Sequence, residues 1–168
     1  MINELVLASL NAHKAGEIRQ ILGDSLSLRT LSDLGLTDPI EENGSSFLEN
    51  AYIKARESLF RSGLPSIADD SGLEVDALGG RPGIYSSRYA DTDEKRINRL
   101  LCELQLVPEM ERTARFRCVV CLMPCLDEYY FFEGRIEGRI AFSRSGENGF
   151  GYDPVFWVPS HGKSLAEL

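Results

Sequence analysis

Ala68-Asp69-Asp70-Ser71-Gly72-Leu73-Glu74-Val75-Asp76-Ala77-Leu78-Gly79-Gly80-Arg81-Pro82-Gly83-Ile84-Tyr85-Ser86-Ser87-Arg88-Tyr89-Ala90 packs four carboxylates, four glycines, a proline and two arginines into one run. No ordinary core element needs that mixture. Asp69-Asp70-Ser71-Gly72 reads as a turn closing the short apolar piece Pro65-Ser66-Ile67-Ala68, because Asp, Ser and Gly tolerate turn dihedrals. Adjacent carboxylates at a strand edge repel each other, so the pair asks for a metal ion or a clamp of Lys and Arg between it and water. Taken alone, the four residues also fit a solvated turn.

Working outward, the chain around this run is that of an ordinary domain. Its 168 residues suffice for a hydrophobic core without disulfides or a structural metal, and we expect a single domain over 1–168. A composition of 43% hydrophobic and 26% charged residues, with no apolar run near membrane-spanning length, points to a globular protein with no bilayer partner. Met1-Ile2-Asn3-Glu4-Leu5-Val6-Leu7-Ala8 lacks the basic region of a secretory signal, so the expected location is the cytoplasm and the cysteines are expected as reduced thiols. A net charge of −8 argues against a nucleic-acid partner, whose binding is driven by basic residues that release counterions. A small phosphorylated ligand can still bind where lysines and a divalent cation offset the acidity locally.

Toward the N-terminus, Glu4 to Ala8 reads as a buried strand and Ala12 to Leu22 as a helix closed by Gly23. Between them, Ser9-Leu10-Asn11-Ala12-His13-Lys14 joins a strand to a helix start, where backbone N–H groups and a lysine can meet an oxyanion. Lys14 falls in the first helical turn, where a cation is mildly unfavourable unless an anion is near. The same residues also fit a capping Asn followed by a solvated Lys. Leu26 to Leu31 reads as a second strand, and the loop after it carries the acidic pair Glu41-Glu42. Ser46-Phe47-Leu48-Glu49 matches a capping box, opening a helix that runs to Gly63. Glu49 then has a capping role, and Lys54 either a solvated position or a reach toward phosphates.

Toward the C-terminus, Asp91-Thr92-Asp93-Glu94 opens an amphipathic helix with Ile97, Leu100, Leu101 and Leu104 on one face, ended before Pro108. Ala114 to Met123 alternates as a strand, and Tyr129 to Phe132 and Arg139 to Phe142 read as further strands around Gly134 and Gly138. Cys118 and Cys121 lie three apart on a period of two, so they face opposite ways and share no ion; all four cysteines are expected as buried thiols. Phe150-Gly151-Tyr152-Asp153 sets aromatics and an Asp beside glycines, which suits a flat ring ligand or, equally, the start of an aromatic core strand.

Five stretches now point one way: Ser9-x-Asn11-x-x-Lys14, Ser46-Phe47-x-Glu49-Asn50-Ala51-x-x-Lys54-Ala55, the run from Ala68 to Ala90, Phe131 to Ile140, and Gly149-Phe150-Gly151-Tyr152-Asp153-Pro154-Val155-Phe156. In order and spacing the chain resembles the inosine triphosphate pyrophosphatase family, the dITP/XTP pyrophosphatases, from Leu5 to Leu168. The resemblance implies an α/β fold with a long mixed central β-sheet, flanking helices and two lobes around a substrate cleft. It implies a homodimer that hydrolyses deaminated purine nucleoside triphosphates (dITP, ITP, XTP) to the monophosphate and pyrophosphate with magnesium.

Carried over by motif position, Ser9, Leu10, Asn11, Ala12, His13 and Lys14 correspond to the phosphate loop, and Asp70 to the general base that also meets the metal. Glu42 would be a second metal contact, with Asp69 and Lys54 in support. Ser71 would be a substrate contact, and Phe150, Gly151, Tyr152 and Asp153 the base-binding segment. Attack of water on a phosphoryl centre needs a base, a cation on the phosphate oxygens and Lys donors, and no covalent nucleophile. Family members continue into a helix and a Ser-His-Arg motif with a preceding Lys, which does not occur within these 168 residues; His161 is not that histidine. Two readings compete: a non-catalytic nucleotide-binding relative, and a house-cleaning pyrophosphatase for other modified nucleotides.

Overall fold

The computed structural model describes residues 3–9, 12–23 and 26–168, with Ala12 and His13 described by their backbone alone. Among the described residues the elements run β1 (Glu4–Leu7), α1 (Ala12–Leu22), β2 (Ser27–Thr30), α2 (Phe47–Ser62), β3 (Ser66–Val75), α3 (Asp93–Glu103), β4 (Thr113–Cys125), β5 (Glu128–Ile140), β6 (Phe156–Val158) and β7 (Lys163–Ser164). The strands form one mixed sheet in the order β2-β1-β3-β4-β5-β6-β7. β1 pairs in parallel with both β2 and β3, whereas β6 pairs antiparallel with β5 and β7. By its contacts the chain divides into two compact units, Met1–Asp70 with Cys118–Glu133, and Ser71–Arg117 with Gly134–Leu168. β3, β4 and β5 each give one end to the first unit and the other to the second.

In the first unit, chain order and sheet order together fix the layers. The chain steps from β1 to β2 in one direction and from β2 back across β1 to β3 in the other. Parallel crossovers are right-handed, so the two steps place α1 and α2 on opposite faces of the sheet. The core between them is Leu5, Val6, Leu7, Ala15, Leu31, Phe47, Ala51, Ala55, Leu59 and Ala68. Ser46 caps α2 by accepting the Glu49 N–H at 3.2 Å, and Gly63 ends it in the left-handed region at φ 68°. Glu49 reaches back one residue further than a capping box requires, accepting from Ser45 N at 2.7 Å and Ser45 Oγ at 2.8 Å.

The second unit is built on the amphipathic α3, whose Ile97 and Leu100 pack with Leu73, Val75, Leu104, Ala114, Ile140, Tyr152, Val155, Phe156 and Val158. Arg112 is buried there with its guanidinium spread over the carbonyls of Leu104 (2.6 Å), Val107 (3.0 Å) and Ala141 (3.2 Å). Thr92 caps α3, accepting from Lys95 N at 3.2 Å.

Three local expectations are corrected. Asp69 to Gly72 is no turn: β3 runs unbroken from Ser66 to Val75. The turn-forming residues lie in mid-strand because Asp69 and Asp70 are buried and paired, which outweighs their poor strand propensity. Gly134 and Gly138 do not separate two strands, since β5 continues from Glu128 to Ile140. A Cβ at Gly138 would stand 2.5 Å from the Trp157 carbonyl and 2.6 Å from the Phe156 ring, so this glycine marks the close approach of β6. Of the cysteines only Cys121 is fully buried, with Cys118 half-buried and Cys102 and Cys125 exposed.

Candidate active site

β1 ends at Leu7, opposite Ile67 of β3, and the Ala8 N–H still donates to the Ile67 carbonyl at 2.8 Å. β3 continues beyond that point, so Asp69 and Asp70 stand just past the carboxyl end of β1, where the crossovers reverse direction. In open α/β sheets this switch point is where a crevice forms and ligands bind.

Successive strand residues point to opposite faces, and here each face has its own helix. Asp69 meets Lys14 of α1, Nζ to Oδ2 at 2.5 Å. Asp70 meets Lys54 of α2, Nζ to Oδ1 at 3.0 Å, and accepts from Asn50 Nδ2 on Oδ2 at 3.1 Å. Both aspartates are less than a tenth exposed. Lys54 Nζ also meets Glu42 Oε1 at 2.9 Å, so one ammonium bridges two carboxylates. Burial works against its charge, but Asp70 and Glu42 outweigh burial and hold the ammonium above its ordinary value.

Of the expected phosphate loop, Ser9 follows the end of β1 and Lys14 sits in the first turn of α1, which has no acidic residue there. Leu10 and Asn11 lie outside the described residues, as do the side chains of Ala12 and His13. The expected carboxylate trio is not assembled: Asp70 and Glu42 share Lys54, while Asp69 points to the face of Lys14. The reason is the strand, since a turn could have turned both aspartates to one side and a strand cannot. A divalent cation fits the Asp70–Glu42 pair chemically: hard oxygen donors, two of them, already gathered around the positive charge of Lys54.

In the second unit, Ser71 follows Asp70 on β3 and is half-buried. The base-binding candidates divide into exposed and committed groups. Phe150 is 41% exposed, whereas Tyr152 is 4% exposed and donates its hydroxyl to the Ser86 carbonyl at 2.9 Å. Burial drives the Tyr152 hydroxyl far above its ordinary range. Asp153 Oδ2 accepts the Phe150 N–H at 2.8 Å, and Asp93 at the start of α3 accepts the Gly151 N–H at 2.9 Å. Gly149 has φ 74° and faces Asp153 so closely that a Cβ would come within 2.2 Å of Oδ2. Tyr152, Asp153 and Asp93 thus hold the turn, and the ring it presents is that of Phe150.

Sequence reasoning passed over Asn50, Gly44, Ser86 and Asp93. A signal existed for the first: Asn50, Lys54 and Ser58 recur every fourth residue on the buried face of α2, beside Phe47, Ala51, Ala55 and Leu59. A buried amide and a buried ammonium on such a face need partners, and Asn50 and Lys54 have them.

An α/β chain with lysine-clamped carboxylates at its topological switch point belongs to the large class of open-sheet proteins whose ligand crevice lies there. Comparison with known proteins narrows this. The Ham1 family model matches residues 5–168. A dITP/XTP pyrophosphatase of Pseudomonas syringae pv. tomato is 50% identical over 99% of this chain and 86% of its own. Another, of Halalkalibacterium halodurans, is 47% identical over 99% of this chain and 88% of its own. A HAM1 protein from Coxiella burnetii superposes with a TM-score of 0.91 at 44% identity, covering 100% of this chain and 87% of that one. The Ham1 protein of Staphylococcus aureus gives 0.87 at 41% identity, covering 98% and 86%. The chain belongs to the Ham1 family.

Proposed function

We propose that this protein is a nucleoside-triphosphate pyrophosphatase that hydrolyses dITP, ITP and XTP to the monophosphate and pyrophosphate, clearing deaminated purines from the nucleotide pool. The observation that carries the reading is the bridged set Asp70–Lys54–Glu42 at the switch point, with Lys14 and Asp69 on the other face of the same strand. Its relatives named dITP/XTP pyrophosphatase, at 45–50% identity, support the same substrate class.

In this reading Asp70 takes a proton from the attacking water while the water oxygen bonds to phosphorus. The α–β anhydride bond breaks and pyrophosphate leaves. Asp70 and Glu42 would hold Mg²⁺, which when bound neutralises charge on the phosphate oxygens. Lys54 and Lys14 bind the triphosphate oxygens, and Ser9 and Ser71 add hydrogen bonds. Phe150 offers an exposed ring for the base. The test is a comparison of kcat/KM for dITP, XTP, dATP and 5-methyl-UTP by pyrophosphate release, with and without Mg²⁺. Preference for dITP and XTP is expected; equal rates on all, or activity on the pyrimidine alone, would replace the reading.

The proposal includes a homodimer in the cytoplasm. The support is in the first unit, where Leu126, Tyr129 and Tyr130 are exposed at the β4–β5 turn and beside it. An adjoining recess of about 400 Å³ is lined by Leu48, Tyr52, Ile53, Tyr129 and Phe131. A second copy covering these rings would be read as a doubled mass in sedimentation, lost in Tyr129→Glu. Among the described residues no helix is long and apolar enough to cross a membrane.

A further inference from the structure

Asn50 sits 1% exposed in the first turn of α2, on the face that also buries Phe47, Ala51 and Ala55. Its amide is used at both ends. Oδ1 accepts the Gly44 N–H at 2.9 Å, and Nδ2 donates to Asp70 Oδ2 at 3.1 Å. Both partners dictate the same amide orientation, because a backbone N–H needs an acceptor and a carboxylate needs a donor. The other side of the set closes through Lys54, whose Nζ meets Asp70 Oδ1 at 3.0 Å and Glu42 Oε1 at 2.9 Å. Glu42 stands two residues before Gly44, so the bonds form a ring: Asn50, Asp70, Lys54, Glu42, the loop backbone, Gly44 and Asn50 again. Gly44 is fitted to that ring, since a Cβ there would lie 2.7 Å from Asn50 Oδ1 and 2.7 Å from Glu49 Cβ.

We infer that Asn50 is a positioning residue that sets the Asp70 carboxylate and the Glu42 loop in register with each other. The inference rests on the reading of Asp70 as the base. Asn50 holds one oxygen of Asp70 while Lys54 holds the other, so the carboxylate plane is fixed by α2 alone. Through Gly44 the same side chain anchors the loop that carries the second carboxylate. An aliphatic residue would leave the Gly44 N–H and Asp70 Oδ2 without these bonds. Aspartate would keep the first bond and set a second anion against Asp70.

The test compares full-length Asn50→Ala, Asn50→Asp, Gly44→Ala and Asp70→Asn with the parent in steady-state hydrolysis of dITP, and follows exchange of the Gly44 amide by NMR without nucleotide. A base displaced by about an ångström costs about 10²-fold, so kcat should fall by about that factor in Asn50→Ala and Asn50→Asp with KM within about three-fold. Gly44 amide protection should be lost in Asn50→Ala and kept in Asn50→Asp, a split that general destabilisation does not produce. Gly44→Ala should lower kcat likewise by pushing Asn50 aside. Parental kcat in a folded Asn50 variant, beside an inactive Asp70→Asn, overturns the inference and leaves the base reading standing. A rise in KM at unchanged kcat overturns it too. An active Asp70→Asn removes the base and the inference with it. If neither Asn50 variant folds, parental kcat in Gly44→Ala is the overturning result.

Discussion

At the scale of single residues, the site is a matter of which charge neutralises which. Lys14 occupies a first helical turn, where the macrodipole disfavours it, and the structure supplies the compensating anion in Asp69. Removing the ammonium therefore does not simply relieve the helix, because it takes a charge-assisted hydrogen bond from a buried carboxylate. Lys14→Ala should lower unfolding stability by about 1–3 kcal/mol and weaken triphosphate binding by about 1.5–3 kcal/mol, read by urea denaturation and by calorimetry. Unchanged stability would mean that Asp69 finds another donor at no cost. A second residue carries a pH signature. Burial pushes the Cys121 thiol up to about 11 from 9.0, and the residue is 0% exposed. The unfolded thiol loses its proton first as pH rises, so its contribution is intact below pH 9 and is lost progressively between about 9 and 11. The loss amounts to about 2–3 kcal/mol. Denaturation midpoints at pH 8 and pH 10.5 should fall more steeply in the parent than in Cys121→Ala; identical slopes would contradict the assignment.

Among the elements, the strands carry most of what the sequence conceals. Helices were legible: α1 spans the Ala12 to Leu22 anticipated from spacing, and the Ser46 cap and Gly63 terminator bound α2 as their chemistry requires. β3 was not, because Asp-Asp-Ser-Gly is turn composition and only long-range pairing with Lys14 and Lys54 makes it a buried strand. β5 was hidden for a related reason: Gly138 serves a neighbour's approach, and neither it nor Gly134 breaks the strand. Gly138 makes this testable. With a Cβ 2.5 Å from the Trp157 carbonyl and 2.6 Å from Phe156, Gly138→Ala must push β6 away or distort β5. Overpacking of this kind typically costs about 1–3 kcal/mol, so the midpoint of thermal unfolding should drop by several degrees. Gly134→Ala, whose Cβ would meet nothing within 4 Å, should leave it nearly unchanged. Equal effects at the two positions would refute the close-approach account.

For the molecule as a whole, the family could be read from five short stretches, since their order and spacing constrain the fold more than any one of them does. The placement of the site was legible in part. Asp70, Glu42 and Lys54 could be named from motif position and do share one bridge, but the separation of Asp69 onto the opposite face needed β3 to be known as a strand. Asn50 escaped because a polar residue on a buried face declares itself only when its partners are known. A net charge of −8 can sit beside a triphosphate substrate when Lys14 and Lys54 are joined by the divalent cation proposed for Asp70 and Glu42, since the two ammoniums alone face three carboxylates. In the proposed reaction Asp70 directs water to cleave the α–β anhydride of a deaminated purine triphosphate. The most direct measurement is phosphorus NMR of dITP incubated with Mg²⁺ and either the parent or Asp70→Asn. The account predicts dIMP and pyrophosphate in equal amounts from the parent, and a rate lower by about 10²–10⁴ from the variant. Release of dIDP and orthophosphate, or a variant retaining more than about a tenth of parental turnover, would contradict it.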